Sequence, residues 1–173
     1  ATKRHPFVEP ALFRDRNFVV SLAIMFAVGL SVISPTVLLP SFLQHLQGYS
    51  PTQAGDLVAV RGLTSVFAML LAGRLIGRVD VRVLISIGVL ATASSLWMMA
   101  HFTLDSPASQ VALAAMVQGI GAPFTFVPLS VAAYATLPTA LRAEAGVMLT
   151  LLRNVGSSVG VSLVVAMLAR STQ

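Results

Sequence analysis

The sequence predicts an all-α, polytopic membrane protein, and both its composition and its patterning support this class. Of the 173 residues, 56% are hydrophobic and only 10% are charged, whereas soluble domains average about 25% charged residues. The apolar residues form long blocks rather than short alternating strands. Each block reaches the roughly 20 residues that a helix needs to cross a bilayer core of about 30 Å. Five such blocks occur, at approximately residues 18–40, 54–72, 83–101, 111–137 and 145–169.

Local signals at the ends of these blocks refine them into five helices. Asp15 or Asn17 can cap the first helix, and Ser50 to Gln53 reads as a capping box with Pro51 in the first helical position. We therefore predict a cytoplasmic lead-in segment, a bundle and a short tail. The segments are 1–17 for the lead-in, helices at about 18–46, 52–74, 82–101, 109–137 and 145–169, and 170–173 for the tail.

Prolines interrupt the first and fourth predicted helices, at Pro35, Pro40, Pro123 and Pro128. Each proline frees a backbone carbonyl from the helix and favours a bend. Lipid cannot donate a hydrogen bond to that carbonyl, so the bends are expected to face protein or a water-filled cavity. The helices otherwise differ in character, and the sequence shows no short internal repeat.

Basic residues are distributed unevenly between the two sides of the predicted bundle. Eight of the eleven fall in alternate non-membrane segments, and the positive-inside rule places those segments in the cytoplasm. The net charge of +5 therefore reflects membrane orientation, and no alternation of aromatic and basic residues indicates binding to nucleic acid. The eight residues are Lys3, Arg4, Arg14, Arg16, Arg74, Arg78, Arg82 and Arg142.

Residues 156–160 (GSSVG) match two motifs at once, the G-x-S-x-G nucleophile elbow of hydrolases and the G-x-x-x-G packing face of membrane helices. An elbow needs a strand before its serine and an acid and a histidine after it. Neither follows Ser158 in this sequence, so we predict a protein that is not an enzyme. Gly156 and Gly160 are predicted to form a helix-packing face.

Three charged residues fall inside predicted spans, and a charge in lipid is a functional candidate by default. Arg61 lies near the middle of its span, with Asp56 five residues before it, which is not the same-face spacing of three or four. Arg153 lies about 12 Å into the fifth span at 1.5 Å per residue. For Arg153 the alternative is a structural role, capping carbonyls or pairing with an acid at the cytoplasmic end.

Polar and aromatic side chains in the spans provide candidates for a substrate cavity. Asn154 and Ser158 belong to a polar stripe that repeats every four residues, which either lines a cavity or bonds across helices. Ordinary aromatic packing is the alternative for each phenylalanine. No metal site is predicted, because the chain lacks cysteine and its three histidines are dispersed. The cavity candidates are Ser31, Ser34, Gln118, Phe124, Phe126, Asn154 and Ser158.

Several runs of residues together resemble one family, the EmrB/QacA drug:proton antiporters, which are fourteen-helix members of the major facilitator superfamily. The run 12–18 (LFRDRNF) resembles the start of the first helix of their C-terminal half. The runs 49–55 (YSPTQAG) and 152–160 (LRNVGSSVG) resemble the start of the next helix and the penultimate helix. Gly73 and Arg78 match the superfamily's G-x-x-x-D-R-x-G loop motif, whereas Gly77 replaces its acid.

The resemblance implies that the chain provides helices nine to thirteen of fourteen in a proton-coupled multidrug efflux transporter of the bacterial inner membrane. It implies no cofactor besides the proton gradient. The implied partners are the lipid bilayer, the N-terminal half of the same transporter, amphipathic small molecules and a periplasmic adaptor protein. Two alternatives stay open: a non-transporting membrane scaffold or sensor with the same fold, and a carrier for another substrate such as a siderophore or lipid.

The predicted orientation leads to a labelling experiment, because the chain contains no native cysteine. Single cysteines at Arg78 and Thr139 are expected to be shielded from a membrane-impermeant thiol reagent in intact cells. Cysteines at Gln47 and Ser106 are expected to react. Mass-tag gel shifts measure the labelled fraction, and the reverse pattern would invert the predicted topology.

Overall fold

A computed structural model of the protein describes residues 10–45, 47–103 and 106–171. Throughout these residues the regular structure is helical, apart from one isolated bridge between Ile76 and Val79 in a loop. The predicted all-α class is confirmed, and every helix end lies within three residues of its predicted position. The helices are α1 (Arg16–His45), α2 (Pro51–Leu75), α3 (Val81–Ala100), α4 (Ala108–Ala135) and α5 (Arg142–Ser171).

Four segments in the described part of the chain are long and apolar enough to cross a membrane. They coincide with α2, α3, α4 and the stretch Thr139–Met167, which includes most of α5. The described apolar stretch that α1 contributes is Arg16–Val32, and the helix itself continues to His45. The protein is therefore a multi-pass membrane protein, and the number of five spans stays a prediction.

The helix ends form through the local interactions that the sequence indicates. The Ser50 hydroxyl accepts a hydrogen bond from the Gln53 N–H, and the Gln53 side chain accepts one from the Ser50 N–H, so the capping box is complete. Gly48 follows α1 with a φ of 71°, in the left-handed region that favours glycine. Both proline-containing helices, α1 and α4, continue through their prolines.

The helix α4 lies at the centre of the bundle and contacts α1, α2 and α3, whereas α5 packs mainly on α1. The start of α1 lies against the end of α4, where Phe18 and Met25 pack with Leu129. At the opposite end of the pair, Leu43 of α1 packs with Val111 of α4. The two helices are therefore antiparallel and share two hydrophobic clusters along their contact.

The contact between α3 and α4 depends on two glycines. A Cβ added to Gly121 would lie 2.8 Å from the Thr92 nitrogen and 3.0 Å from the Gly88 oxygen, and a Cβ on Gly88 would clash with Thr125. The buried Ser95 hydroxyl donates to the Ala114 carbonyl across the same contact, at 2.9 Å. The two backbones approach this closely because neither glycine has a side chain between them.

The start of α1 is anchored to the end of α4 by polar groups. The Asn17 side-chain amide donates to the Ala132 carbonyl at 2.7 Å. Asp15 accepts hydrogen bonds from the backbone N–H groups of Asn17 and Phe18, which caps α1. A side-chain hydrogen bond from Thr136, with smaller effects from those two N–H groups, holds the pKa of Asp15 below its ordinary value.

We expect Gly121→Ala to destabilise the protein by about 1–3 kcal/mol, because a methyl group between two packed backbones overfills the contact. The matched control is Gly62→Ala in α2, where an added Cβ meets open space and alanine is the better helix former by about 1 kcal/mol. Thermal unfolding of the detergent-purified protein measures the stability of both variants. Equal destabilisation by the two variants would contradict the assigned role of Gly121.

We expect Asp15→Asn to weaken the α1–α4 junction at neutral pH and to have a smaller effect in acid. Because the folded-state pKa of Asp15 is lowered from 3.8, its contribution is present above that value and is lost as the pH falls through the lower folded value. The difference in melting temperature between wild type and variant, measured at pH 7 and near pH 3, is expected to shrink. A difference independent of pH would contradict this role.

Candidate functional site

The helix α5 carries buried glycines on one face and exposed polar side chains on another. Gly156 and Gly160 are buried, and a Cβ on Gly156 would clash with the carbonyl of Phe26 in α1. Asn154, Ser158 and Ser162 are exposed along the other face. Gly156 therefore meets α1, Gly160 lines a groove beside α1, and the polar side chains are left on the surface of the described bundle.

The geometry around Ser158 is not that of a nucleophile elbow. Residues on both sides of it belong to one helix from Arg142 to Ser171, whereas an elbow is a turn between a strand and a helix. Its hydroxyl donates to the Asn154 carbonyl at 3.0 Å, and the Ser162 hydroxyl donates to the Ser158 carbonyl at 2.8 Å. These are the ordinary i to i−4 bonds of a membrane helix.

The contact between α2 and α4 has the same form as the contact between α5 and α1. A Cβ on Gly29 would clash with the carbonyl of Arg153, and a Cβ on Gly119 would lie 2.7 Å from the carbonyl of Arg61. Gly29 and Gly119 are 90 positions apart, and Arg61 and Arg153 are 92 positions apart. The bundle thus contains an internal repeat of contacts, with glycine and arginine at the matching positions.

The side chains of the two arginines follow the same repeat. Arg61 donates a hydrogen bond from Nη1 to the Thr36 hydroxyl of α1. Arg153 lies over the ring of Phe126 in α4, 5.3 Å from the centroid. Thr36 and Phe126 are again 90 positions apart. Arg61 of α2 therefore reaches α1, although α2 packs mainly on α4. Arg153 of α5 reaches α4, although α5 packs mainly on α1.

Gln118 is a buried polar side chain in the middle of α4. It is 1% exposed, and neither its Nε2 nor its Oε1 has a hydrogen-bond partner among the described residues. By helical periodicity it shares a face with Val111 and Leu129, which pack on α1. A buried amide without a partner is costly, so this position calls for an explanation beyond packing.

The remaining sequence candidates fall in different places. Phe124 is buried in a hydrophobic cluster with Ala68 of α2 and Leu84 of α3, so its ring takes part in helix packing. Asp56 is exposed in the second turn of α2. Ser34 belongs to α1, but its side chain lies outside the described residues.

A groove of about 600 Å³ lies between α1, α3 and α5, and its lining is mostly apolar. Ser31 and Pro35 of α1 line it, and the Ser31 hydroxyl donates to the Ala27 carbonyl. In the 90-residue repeat these two positions correspond to Gly121 and Thr125 of α4, which α3 covers. The groove therefore has the character of a helix-packing face, and we do not assign the substrate to it.

The loop between α2 and α3 explains one departure from the superfamily motif. Gly77, which replaces the acid of the motif, has a φ of 88°, a conformation that favours glycine. Gly73 lies in the last turns of α2, where an added Cβ meets no atom within 4 Å. Arg78 is exposed, and its N–H donates to the Leu75 carbonyl.

Three residues that shape this region are not predicted from the sequence. Gly29 could have been found as a small residue within an apolar helix, which is a known sign of close packing. Phe26 and Thr36 carry no such signal, because each is an ordinary residue of an apolar span until its contact is seen. The contact of Phe26 with Gly156 and that of Thr36 with Arg61 each join residues more than 20 positions apart in the sequence.

The sequence profile of the Major Facilitator Superfamily matches residues 18–172. The fatty acid resistance protein FarB of Neisseria gonorrhoeae is 33% identical over 163 residues. The multidrug export protein EmrB of Haemophilus influenzae is 31% identical over 163 residues, and the colistin resistance protein EmrB of Acinetobacter baumannii is 27% identical over 164 residues.

Each of these three matches covers 94% of this chain but only 32% of the relative. The chain thus spans about a third of the length of these relatives. The match to the superfamily profile extends from the start of α1 to the end of α5 and includes both arginines and the polar face of α5. The chain belongs to the Major Facilitator Superfamily, and its relatives are of the EmrB type.

Proposed function

We propose that this chain is part of a proton-coupled multidrug efflux transporter that exports amphipathic compounds from the cytoplasm by alternating access. The similar proteins bear the names multidrug export, fatty acid resistance and colistin resistance protein, which supports export of amphipathic molecules of several kinds. In this proposal the chain lies in the bacterial inner membrane, with the N-terminal end of the segment in the cytoplasm. It acts as a carrier and carries out no chemistry on its substrate.

The observation that supports this proposal most directly is the exposed polar face of α5. Asn154, Ser158 and Ser162 lie along a membrane-spanning helix and are all exposed in the described bundle. Polar side chains in a membrane face a protein interior or a water-filled cavity. A face of amide and hydroxyl groups within an otherwise apolar wall suits substrates that combine an apolar body with a few polar groups.

In this proposal the other parts of the transporter supply the acid that couples export to proton movement. The acids of the described helices, Asp56 and Glu144, both lie within the first two turns of their helices. We therefore expect the proton-coupling acid at the membrane midplane to lie in other parts of the polypeptide. The partners proposed are the N-terminal half of the same transporter and a periplasmic adaptor protein.

Drug protection by the full-length protein tests the proposal. We expect a bacterial strain without its main efflux pumps to grow at higher concentrations of several chemically unrelated amphipathic drugs when it expresses the protein. Collapse of the proton gradient should restore accumulation of a fluorescent amphiphile. Protection against one compound class alone would favour a carrier for a single substrate, such as a siderophore or lipid, and no protection would favour a scaffold or sensor.

Substitutions on α5 test the role of its polar face. We expect Ser158→Leu to change the order of preference among the exported drugs, because it replaces a hydroxyl of the cavity wall by a large apolar group. Val159→Leu is the matched control, since Val159 is an exposed apolar neighbour on the same helix. Ser158→Ala should alter stability by only about 0.6 kcal/mol, the average for a membrane hydrogen bond. Identical drug profiles for the two leucine variants would argue against a role of this polar face in drug recognition.

A further inference from the structure

A cleft of about 620 Å³ separates the first turns of α1 from the first turns of α3. These two helices form its walls and have few direct contacts with one another, and Leu129 and Ala132 of α4 form its floor. The volume falls within the range of about 300–1,000 Å³ that is common for small-molecule sites. Unlike the groove between α1, α3 and α5, this cleft has charged side chains in its lining.

Two arginines line the outer end of the cleft, one on each wall. Arg16 is the first residue of α1 and Arg82 is the second residue of α3, and both side chains are exposed. The helices α1 and α3 both run antiparallel to α4, so their first residues lie at the same end of the bundle. The two arginines are therefore attached at one membrane surface, at the level of the lipid headgroups.

The lining becomes apolar below the arginines. Arg16, Val20 and Ile24 all line the cleft, and their spacing of four residues places them along one face of α1, over about 12 Å at 1.5 Å per residue. The wall formed by α3 changes in the same way, from Arg82 to Ile85 about one turn further in. A phospholipid has this arrangement of groups, because its phosphate lies at the edge of the bilayer core and its acyl chains extend inward.

The charges of the lining match one phosphodiester. Asp80 is the only acid among the lining residues that the structure describes, so this acid and the two arginines leave a single net positive charge. Its carboxylate accepts the Arg82 N–H at 3.0 Å and caps α3. A phosphodiester carries one negative charge, and its oxygens accept paired hydrogen bonds from a planar guanidinium.

The other polar groups of the cleft are engaged within the bundle. The Ser21 hydroxyl donates to the Asn17 carbonyl and the Ser86 hydroxyl to the Arg82 carbonyl, each at 2.9 Å. The Asn17 side-chain amide donates to the Ala132 carbonyl at 2.7 Å. The arginines therefore supply the strong donors for an anion, since each guanidinium carries five N–H groups.

We infer that this cleft binds the headgroup of an anionic phospholipid, with the phosphate against Arg16 and Arg82 and an acyl chain along Val20 and Ile24. Basic pockets between membrane helices are known to hold anionic headgroups. The cleft lies at one end of the bundle, away from the polar face of α5. The inference therefore does not depend on the proposed export of drugs.

Photocrosslinking of the full-length protein in nanodiscs tests the inference. The probes are phosphatidylglycerol and phosphatidylcholine with the same diazirine-bearing acyl chain, because both have a phosphodiester and only the first has a net negative charge. Mass spectrometry measures how strongly each lipid labels Val20 and Ile24. We expect about tenfold more labelling by phosphatidylglycerol, the effect of one hydrogen bond to a charged group. Leu90, an exposed residue of α3 outside the cleft, should be labelled about equally by both lipids.

Arginine variants separate recognition by the cleft from general attraction of anionic lipid. The double variant Arg16→Gln, Arg82→Gln should lower the preference for phosphatidylglycerol at Val20 to the value at Leu90. Both arginines are exposed, so we expect this variant to fold. Arg74→Gln is the matched control, because Arg74 is exposed in the last turn of α2 and does not line the cleft. An unchanged preference in the double variant would overturn the inference, as would an equal loss in the control.

Two further measurements distinguish other occupants. Soluble glycerol phosphate in excess offers the same anion without acyl chains, and displacement of the lipid label by it would assign the arginines to a soluble phosphate instead. If Leu90 is labelled but Val20 and Ile24 are not labelled by either lipid, another part of the polypeptide fills the cleft and the inference fails.

The melting temperature gives an independent measurement. A ligand that binds only the folded state stabilises it, so phosphatidylglycerol should raise the melting temperature more than phosphatidylcholine does. The double variant Arg16→Gln, Arg82→Gln should lose this difference, whereas Arg74→Gln should keep it. A difference between the lipids that persists in the double variant would contradict binding at this cleft.

Discussion

Close approach of helix backbones at glycine is the interaction on which this fold depends. Lipid is as apolar as leucine, so the hydrophobic effect does not press membrane helices together, and tight packing must supply the attraction. Gly88 and Gly121 provide it between α3 and α4, Gly119 between α2 and α4, and Gly29 and Gly156 between α1 and α5. These contacts fix the position of every helix, and hence which faces stay free for other partners.

Most polar side chains of the bundle are satisfied within their own helix. Hydroxyl groups such as those of Thr64, Ser130 and Ser158 donate to the carbonyl four residues earlier, which removes the need for a partner in lipid. Arg61, Arg153 and Gln118 differ, because a long side chain with several donors cannot be satisfied in this way. Gln118, near the middle of α4, keeps both of its amide atoms without a partner among the described residues, and Glu144 keeps one carboxylate oxygen without a partner in the first turn of α5.

The internal repeat connects packing to mechanism. The helices α1 and α4 are antiparallel and each supports one packed neighbour, α5 or α2, through a glycine and an arginine carbonyl. Inverted repeats of this kind are common in transporters, where two equivalent units exchange their arrangement as access alternates. The equivalence is incomplete, since Arg61 meets a hydroxyl and Arg153 an aromatic ring. The two guanidinium groups therefore have different local partners in the described bundle.

The sequence by itself determined the all-α membrane class, the five helices, the capping box at Ser50 and the two faces of α5. Each of these follows from composition, from 3.6-residue periodicity or from neighbours a few positions apart, all of which can be read along one helix. Only the tertiary structure decided that Phe124 packs between α2 and α3, that the Thr36 hydroxyl accepts a hydrogen bond from Arg61, and that the glycine contacts recur at a spacing of 90 to 92 residues. Those facts depend on which helix lies beside which, and in lipid this is decided by close backbone approach at small residues rather than by any local pattern.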